Sequence, residues 1–530
     1  MAAHIVVVAG PGAGKTKTLV ARVNYLLASG TRSRDIVVIT YTNAAAAEIV
    51  KRLDGATIGF CGTLHGFMLR QLRQFGSYIG LPPDLSVVSE KQREEILADV
   101  VAEIGFKGSA KAVLEAVKTN PLLNRKGPPG LPKLMLLAAS YHRRMLENGL
   151  LDFDSILEYG RAVLDAAPSV ATHLLVDEFQ DASDADDDIY SALRIANKFF
   201  VGDPDQAIYG FRGGNPANFL RRSAMPGTSL FYLEKNYRCG VQICSAANRL
   251  ILHNKDRLPK QSVPVHVHDS STVETMRCKD EAAELARLTQ AIAGEPSLNV
   301  AVLCRTNALA TRIADHFEGC GIPVARKASR NDPVDWLVIR QYIALLCNPD
   351  NDLLAYAWLK MAAGEDAAKA AKSRALAMLT TINRAGRYWQ TPSLDALPDA
   401  LARQSGGWRE GIDRVKRTIA ELPAESTLPD LALALATGDE AQETVGEGVT
   451  VTTLHSAKGR EWDLVYLPGW VENLMPSKRG DEAEERRLAF VGITRARQRL
   501  VILWPAEVTD PWTHADSDTE PSRFMGEAGF

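Results

Sequence analysis

Two short segments carry residue types suited to phosphoanhydride chemistry. Residues 9–16 read Ala9-Gly10-Pro11-Gly12-Ala13-Gly14-Lys15-Thr16, directly after the β-branched run Ile5–Val8 and ahead of a helical pattern from Lys17 to Ala28. Small residues let successive backbone N–H groups curl around phosphate oxygens, and the helix N-terminus adds its dipole. Lys15 reaches the β/γ-phosphates and Thr16 offers a hydroxyl to Mg²⁺. Ala9 stands where many such loops begin with Gly and keeps the position small. Lys17 completes the expected nucleotide-binding set. Further on, the run Leu174–Val176 ends in Asp177-Glu178-Phe179-Gln180-Asp181. An acidic pair leaving a buried strand beside a phosphate loop has a direct use: Asp177 holds the metal, and Glu178 orients and deprotonates the attacking water. Hydrolysis of a nucleoside triphosphate is the chemistry implied. Asp184, Asp186, Asp187 and Asp188 read as a solvated face or helix start, with no catalytic part.

These residues need strands to carry them. Ile5–Val8, Ile36–Thr40, Leu174–Val176 and Phe199–Val201 form one series of short β-branched runs, each followed by a turn and a helical pattern. Val300–Leu303, Val449–Thr453, Leu464–Leu467 and Leu500–Leu503 form a second. This rhythm predicts α/β architecture with two parallel sheets flanked by helices, each with its ligand site at the carboxyl ends of the strands. Residues 71–149 alternate amphipathic runs with breaks such as Gly127-Pro128-Pro129-Gly130, and residues 361–446 are rich in Ala and Leu; both read as helical insertions. Residues 510–530 are polar and irregular, a predicted loose tail.

The 530 residues are 46% hydrophobic and 24% charged, a folded multidomain composition, and a net charge of −3 says nothing for or against a nucleic-acid partner. Seven scattered cysteines without a CxxC pair argue against a disulfide framework or a zinc site and fit a reducing cytoplasm. His65 and His455 lack a second His or Cys at ligand spacing, so Mg²⁺ carried by the nucleotide is the metal expected. No signal core or membrane-spanning run is present.

Six further segments stand between and after these two: IVVITYTNAAAAEIVKRL (36–53), GTLHGF (62–67), FVGDPDQAIYGFRGG (200–214), LEKNYR (233–238), VLCRTN (302–307) and VTTLHSAKGRE (451–461), followed by ERRLAFVGITRAR (485–497). With LLVDEFQD (174–181), this ordered set resembles the motifs of the UvrD/Rep/PcrA branch of superfamily 1 DNA helicases and spans most of the chain. The resemblance implies two RecA-like cores with helical insertions: core 1A in residues 1–70 and 150–232, insertion 1B in 71–149, core 2A in 233–360 and 447–509, and a reduced insertion 2B in 361–446. ATP binds between the cores. Gln206 resembles the residue that senses the γ-phosphate and orients water. Arg238 and Arg495 resemble the arginines that stabilise transition-state charge across the cleft. Tyr237 resembles the ring stacked on adenine, and Glu461 the acid near the ribose. Tyr41, Phe67, Tyr209 and Phe211 sit where the family stacks or wedges bases, with core packing as the competing reading of each. Thr42, Asn43, Thr63, His65, Arg212, Arg305, Asn307, Thr453 and His455 resemble its other DNA contacts.

The expected activity is ATP-driven 3′–5′ movement on single-stranded DNA with duplex unwinding at single-strand/duplex junctions. Three departures shape that expectation. Only Met1–Val8 precede the phosphate loop, where the family usually has a Gln-containing adenine-reading segment, so preference for ATP has less support than hydrolysis itself. The short stretch between Arg305 and Thr453 favours translocation over strand separation. The chain stops soon after Arg497, so a nuclease would be a separate protein. The alternative is an ATPase and DNA-binding subunit of a larger repair or anti-phage nuclease complex. A small-molecule kinase would leave the later motifs without a purpose.

Overall fold

The computed structural model describes residues 4–82, 85–105, 132–168, 171–265, 271–294, 299–327, 334–348, 354, 358, 393–404, 408–422, 426–437, 444–445, 448–509 and 516–530. The Gly127–Gly130 break and residues 361–392 lie outside them. Six strands form the first sheet: β1 (His4–Ala9), β2 (Ile36–Thr40), β3 (Phe60–Thr63), β4 (His173–Val176), β5 (Asn197–Gly202) and β6 (Thr228–Leu233). They run in the order β3-β2-β4-β5-β1-β6, every neighbouring pair parallel. Because side chains alternate along a strand, each apolar run supplies both faces. Val6, Val8, Val37, Ile39, Leu174, Val176 and Phe200 enter one core, while Val7, Ala9, Ile36, Val38, Leu175, Phe199 and Val201 enter the other.

The second sheet follows the same rule. It contains β7 (Thr272–Asp280), β8 (Val300–Cys304), β9 (Val324–Lys327), β10 (Thr444–Val445), β11 (Val449–Thr453), β12 (Trp462–Leu467), β13 (Ala496–Thr509) and β14 (Asp516–Asp518). Their order is β7-β13-β12-β8-β11-β9-β10, parallel except that β10 runs antiparallel to β9 and β14 to β13. Ala301, Leu303, Val465, Leu467, Leu500 and Ile502 face one side; Val300, Val302, Leu464, Tyr466, Val501 and Leu503 face the other. The two predicted α/β series are therefore two parallel sheets flanked by helices.

Two expectations need correction. The predicted loose tail is folded over residues 516–530: β14 pairs with β13, and the helix Arg523–Ala528 buries Phe524, Met525 and Ala528 in the second core. Polar composition concealed a short apolar stripe that only the rest of the core completes. The helix Val334–Cys347 was read with the second core, but it buries Trp336, Ile339 and Ile343 against Leu397, Leu401, Val415, Leu431 and Leu435 of the later helices. Ala344 and Leu345 also pack with Val88, Leu97 and Tyr141, so this helix shares an apolar core with the first predicted insertion. Among the described residues no helix is long and apolar enough to cross a membrane.

Phe524→Ala should cost about 3–5 kcal/mol of stability, read as a lower urea midpoint for the second core. An unchanged midpoint would mean the C-terminal helix adds nothing to that core.

Candidate nucleotide and nucleic-acid site

The loop after β1 is held by backbone. Gly10 N donates to Leu233 O at 3.1 Å, Tyr237 N donates to Gly12 O at 3.0 Å, and Gly12 and Gly14 adopt φ of 65° and 83°. A side chain at Gly12 would meet Arg238 Cβ at 2.6 Å and Asn236 Oδ1 at 2.7 Å. The loop is thus pressed onto the Asn236–Arg238 segment, which only Gly permits. Helix Lys15–Ala28 begins at Gly14 with no side-chain cap, leaving its first N–H groups to a ligand. Lys15 Nζ lies 3.8 Å from Glu178 Oε1. Lys17 is exposed.

Asp177 and Glu178 leave β4 together, Glu178 at φ 48°. Burial, then the charge of Glu178, push the Asp177 carboxyl up to about 7. Burial opposes ionisation of Glu178 too, but Lys15, Lys458 and a hydrogen bond from Gln180 outweigh it and hold this carboxyl down at about 2. The partner facing Lys15 is therefore the charged one, and Asp177 is a buried carboxyl short of positive charge.

Gln180 ties this turn to the next. Its Oε1 accepts from Asp203 N at 2.8 Å, while its Nε2 donates to Glu178. Gln206, after β5, donates from Nε2 to Asp203 and accepts at Oε1 from Arg495 Nη2 at 3.3 Å. Arg495 is fully buried and also donates to Val491 O at 2.9 Å and Arg460 O at 3.2 Å; burial, then Arg238, lower its pKa, but a guanidinium stays charged at neutral pH. Arg238 pairs with Glu461, which also takes Arg497. The Tyr237 ring is exposed beside the phosphate loop.

The aromatic residues form a row. Tyr41 and Tyr209 stack at 5.2 Å with 11° between planes, Phe211 meets Tyr209 edge-on at 6.0 Å, and His455 meets Phe211 at 5.6 Å. Arg212 lies 5.6 Å from the Tyr209 ring and 5.7 Å from that of Phe211. Phe211 is 67% exposed, whereas Tyr209 is buried. Burial pushes His455 down to about 4, so its ring is neutral.

The other expected contacts differ in their surroundings. Phe67 is a core residue, 1% exposed among Val6, Val8 and Leu64, and has no face to offer a base. His65 packs edge-on against Phe153 at 5.5 Å, and burial lowers its pKa. The hydroxyls of Thr42, Thr63 and Thr453 accept from Ala45 N, Gly66 N and Ser456 N, capping the turns after their strands. Asn43 and Asn307 open helices at the same edge. Arg305 forks onto Glu485 at 2.6 and 2.9 Å. Asp187, read as solvated, is buried against Arg221 and Arg222.

Several contributors had no assignment in the sequence. Lys458 Nζ bridges to Asp181 and to Gln206 O at 2.8 Å and lies 5.0 Å from the Tyr209 ring centroid. Arg487 donates to Ala207 O at 2.7 Å, and Glu484 accepts from Gly210 N at 2.9 Å. Lys458, Asp181 and Arg487 lie inside the quoted segments, so the signal was present. Arg257 and Lys260, which pair with Asp205 and Asp203, lie outside every segment.

A phosphate loop, an acidic strand end and two arginines presented by an opposing sheet define a P-loop protein with two RecA-like cores. Residues 1–225 match the UvrD/REP helicase N-terminal domain, and residues 231–348 and 414–507 match the UvrD-like helicase C-terminal domain. The chain belongs to the UvrD-like helicase family. It is 26% identical to the ATP-dependent DNA helicase srs2 of Schizosaccharomyces pombe over 94% of this chain and 69% of that protein. It is 27% identical to a probable DNA helicase II homolog of Rickettsia felis, over 99% and 93%. The ATP-dependent DNA helicase PcrA of Staphylococcus aureus is 26% identical, over 99% and 84%.

Gly12→Ala, strained at positive φ and colliding with Arg238, should weaken binding of a fluorescent ATP analogue about tenfold or more, equivalent to ~1.4 kcal/mol. Wild-type affinity would show that the loop does not need this close approach.

Proposed function

We propose that the chain is an ATP-dependent DNA helicase and translocase that hydrolyses ATP to move 3′ to 5′ along single-stranded DNA, opening duplex at a junction. The observation that carries this reading is the single loop from Asp203 to Arg212. It holds Gln206 in the nucleotide cleft and Tyr209 and Phe211 in the aromatic row. Polarity rests on family membership, and a cytoplasmic setting on the scattered, unpaired cysteines. The division into two cores with insertions at residues 71–149 and 361–446 belongs to the same proposal, with residues 334–347 moved to the second insertion.

In this mechanism the phosphate loop and Lys15 bind the triphosphate. Thr16 and Asp177 would hold the accompanying Mg²⁺, a role that suits a buried carboxyl short of positive charge; the ion neutralises charge on the β/γ-oxygens. Glu178, ionised beside Lys15, accepts the proton of the attacking water, and Gln206 Oε1 orients that water. Arg495 is already aimed into the cleft. Arg238 exchanges Glu461 for phosphate, and Tyr237 stacks on the base. Tyr209, Phe211 and His455 line the strand path, with Arg212, Arg305, Asn43 and Asn307 near its backbone.

The test is ATPase activity with and without single-stranded DNA, followed by unwinding of duplexes carrying a 3′ or a 5′ tail. Stimulation by DNA and a preference for the 3′ tail are expected; no stimulation by any DNA would sink the reading. Glu178→Gln should keep nucleotide and DNA binding but lose turnover by about 10²-fold or more, whereas Lys15→Ala should raise the ATP dissociation constant itself.

Phe211→Ala should weaken single-stranded DNA binding by ~1–3 kcal/mol, measured by fluorescence anisotropy with a labelled oligonucleotide. Unaltered binding would remove Phe211 from the strand path.

A further inference from the structure

Asp203 and Asp205 flank Pro204 in the turn that delivers Gln206, and both are buried, Asp203 completely. Two carboxylates so close and out of water disfavour one another's ionisation. Their compensation comes from the Arg257–Lys260 segment. Lys260 Nζ meets Asp203 Oδ1 and Asp205 Oδ2, and Arg257 forks onto Asp205 at 2.8 and 3.2 Å while donating to Lys260 O at 3.1 Å. The Lys260 side chain is 5% exposed, so this is not a surface ion pair. Its segment joins the cores: Leu258 packs against the first, while toward the second Asn248 and Ser262 exchange two hydrogen bonds at 3.0 Å and Asn236 Nδ2 donates to Ser262 Oγ at 2.9 Å. The second oxygen of Asp203 accepts from Gln206 Nε2, which leaves Oε1 facing Arg495.

We propose that Lys260 is a positioning residue for ATP hydrolysis. It anchors the Asp203 carboxylate, which in turn fixes which end of the Gln206 amide faces the cleft. Hydrolysis thereby depends on the Arg257–Lys260 segment, which touches both cores, holding the ammonium against Asp203. The inference rests on the proposed role of Gln206 and adds a residue that no motif of the sequence marks. Asp205 and Arg257 complete the charge balance: four groups, two of each sign, all shielded from water.

The experiment is steady-state ATPase kinetics of the full chain at saturating single-stranded DNA for Gln206→Ala, Lys260→Gln and the double variant. Lys260→Gln should lower kcat about 10- to 100-fold with KM for ATP little changed. Gln206→Ala should do the same, and the double variant should be no slower than Gln206→Ala alone, because both act through one amide. An unchanged kcat for Lys260→Gln, or losses that multiply in the double variant, would overturn the inference while leaving Gln206 in its role. Wild-type turnover by Gln206→Ala would overturn both. Should Lys260→Gln fail to fold, Lys260→Gln/Asp205→Asn removes one charge of each sign and is measured in its place, with the same outcomes deciding.

Discussion

A charged loop buried between two sheets is the constraint on which the cleft depends. Residues 203–209 leave β5 with two carboxylates and pass out of water before the exposed Phe211. Buried charge is tolerated only when it is paired, and breaking one such pair costs about 3–5 kcal/mol. Gln180 of the first core takes Asp203 N, but the compensating charges follow the first sheet in the chain: Lys260 and Arg257 for the carboxylates, Lys458 and Arg487 for the backbone carbonyls of Gln206 and Ala207, Glu484 for Gly210 N. The shape of the loop is therefore a property of the closed pair of cores, not of either alone.

That dependence gives the proposed motor its coupling. Gln206 and Tyr209 are three residues apart on this loop, and Lys458 touches the surroundings of both, through Gln206 O and the Tyr209 ring. A shift of the second core relative to the first cannot move one without the other. For a ligand to drive such a shift it must bind the closed and open arrangements unequally. Phosphate contacted from both cores meets that condition; phosphate held by the loop after β1 alone does not.

How much of this was legible in the sequence follows from where each residue finds its partners. The strands were readable because a strand buried on both faces needs an unbroken β-branched run, and Val6–Val8 or Val300–Val302 have no other use. The phosphate loop was readable because its requirements are local: small residues, a strand before, a helix after. Phe67 carries two readings in the sequence because an aromatic inside a motif bears no mark of which side of its helix faces the core. The C-terminal helix was missed because three apolar residues in a polar stretch acquire meaning only against Leu488 and Ile243, distant in sequence. Lys260 sits in an ordinary polar segment, and nothing local distinguishes it from a solvated lysine.

The two cleft arginines illustrate the same division between local and tertiary information. Each lies within a quoted segment, yet their surroundings set different tasks. Arg495 is buried and donates to neutral oxygens of Val491, Arg460 and Gln206, so its charge is held in place without a carboxylate bonded to it. Such a group is prepaid in desolvation and gains in full from an arriving anion. Arg238 is already neutralised by Glu461, a carboxylate it shares with Arg497. A phosphate must displace that carboxylate, so the net gain at Arg238 is smaller, but Glu461 is released as it moves. Glu461 then remains paired with Arg497 and is free to meet a ribose hydroxyl. On the proposed mechanism, Arg495 stabilises charge, whereas Arg238 exchanges one anion for another and so reports that the nucleotide has arrived.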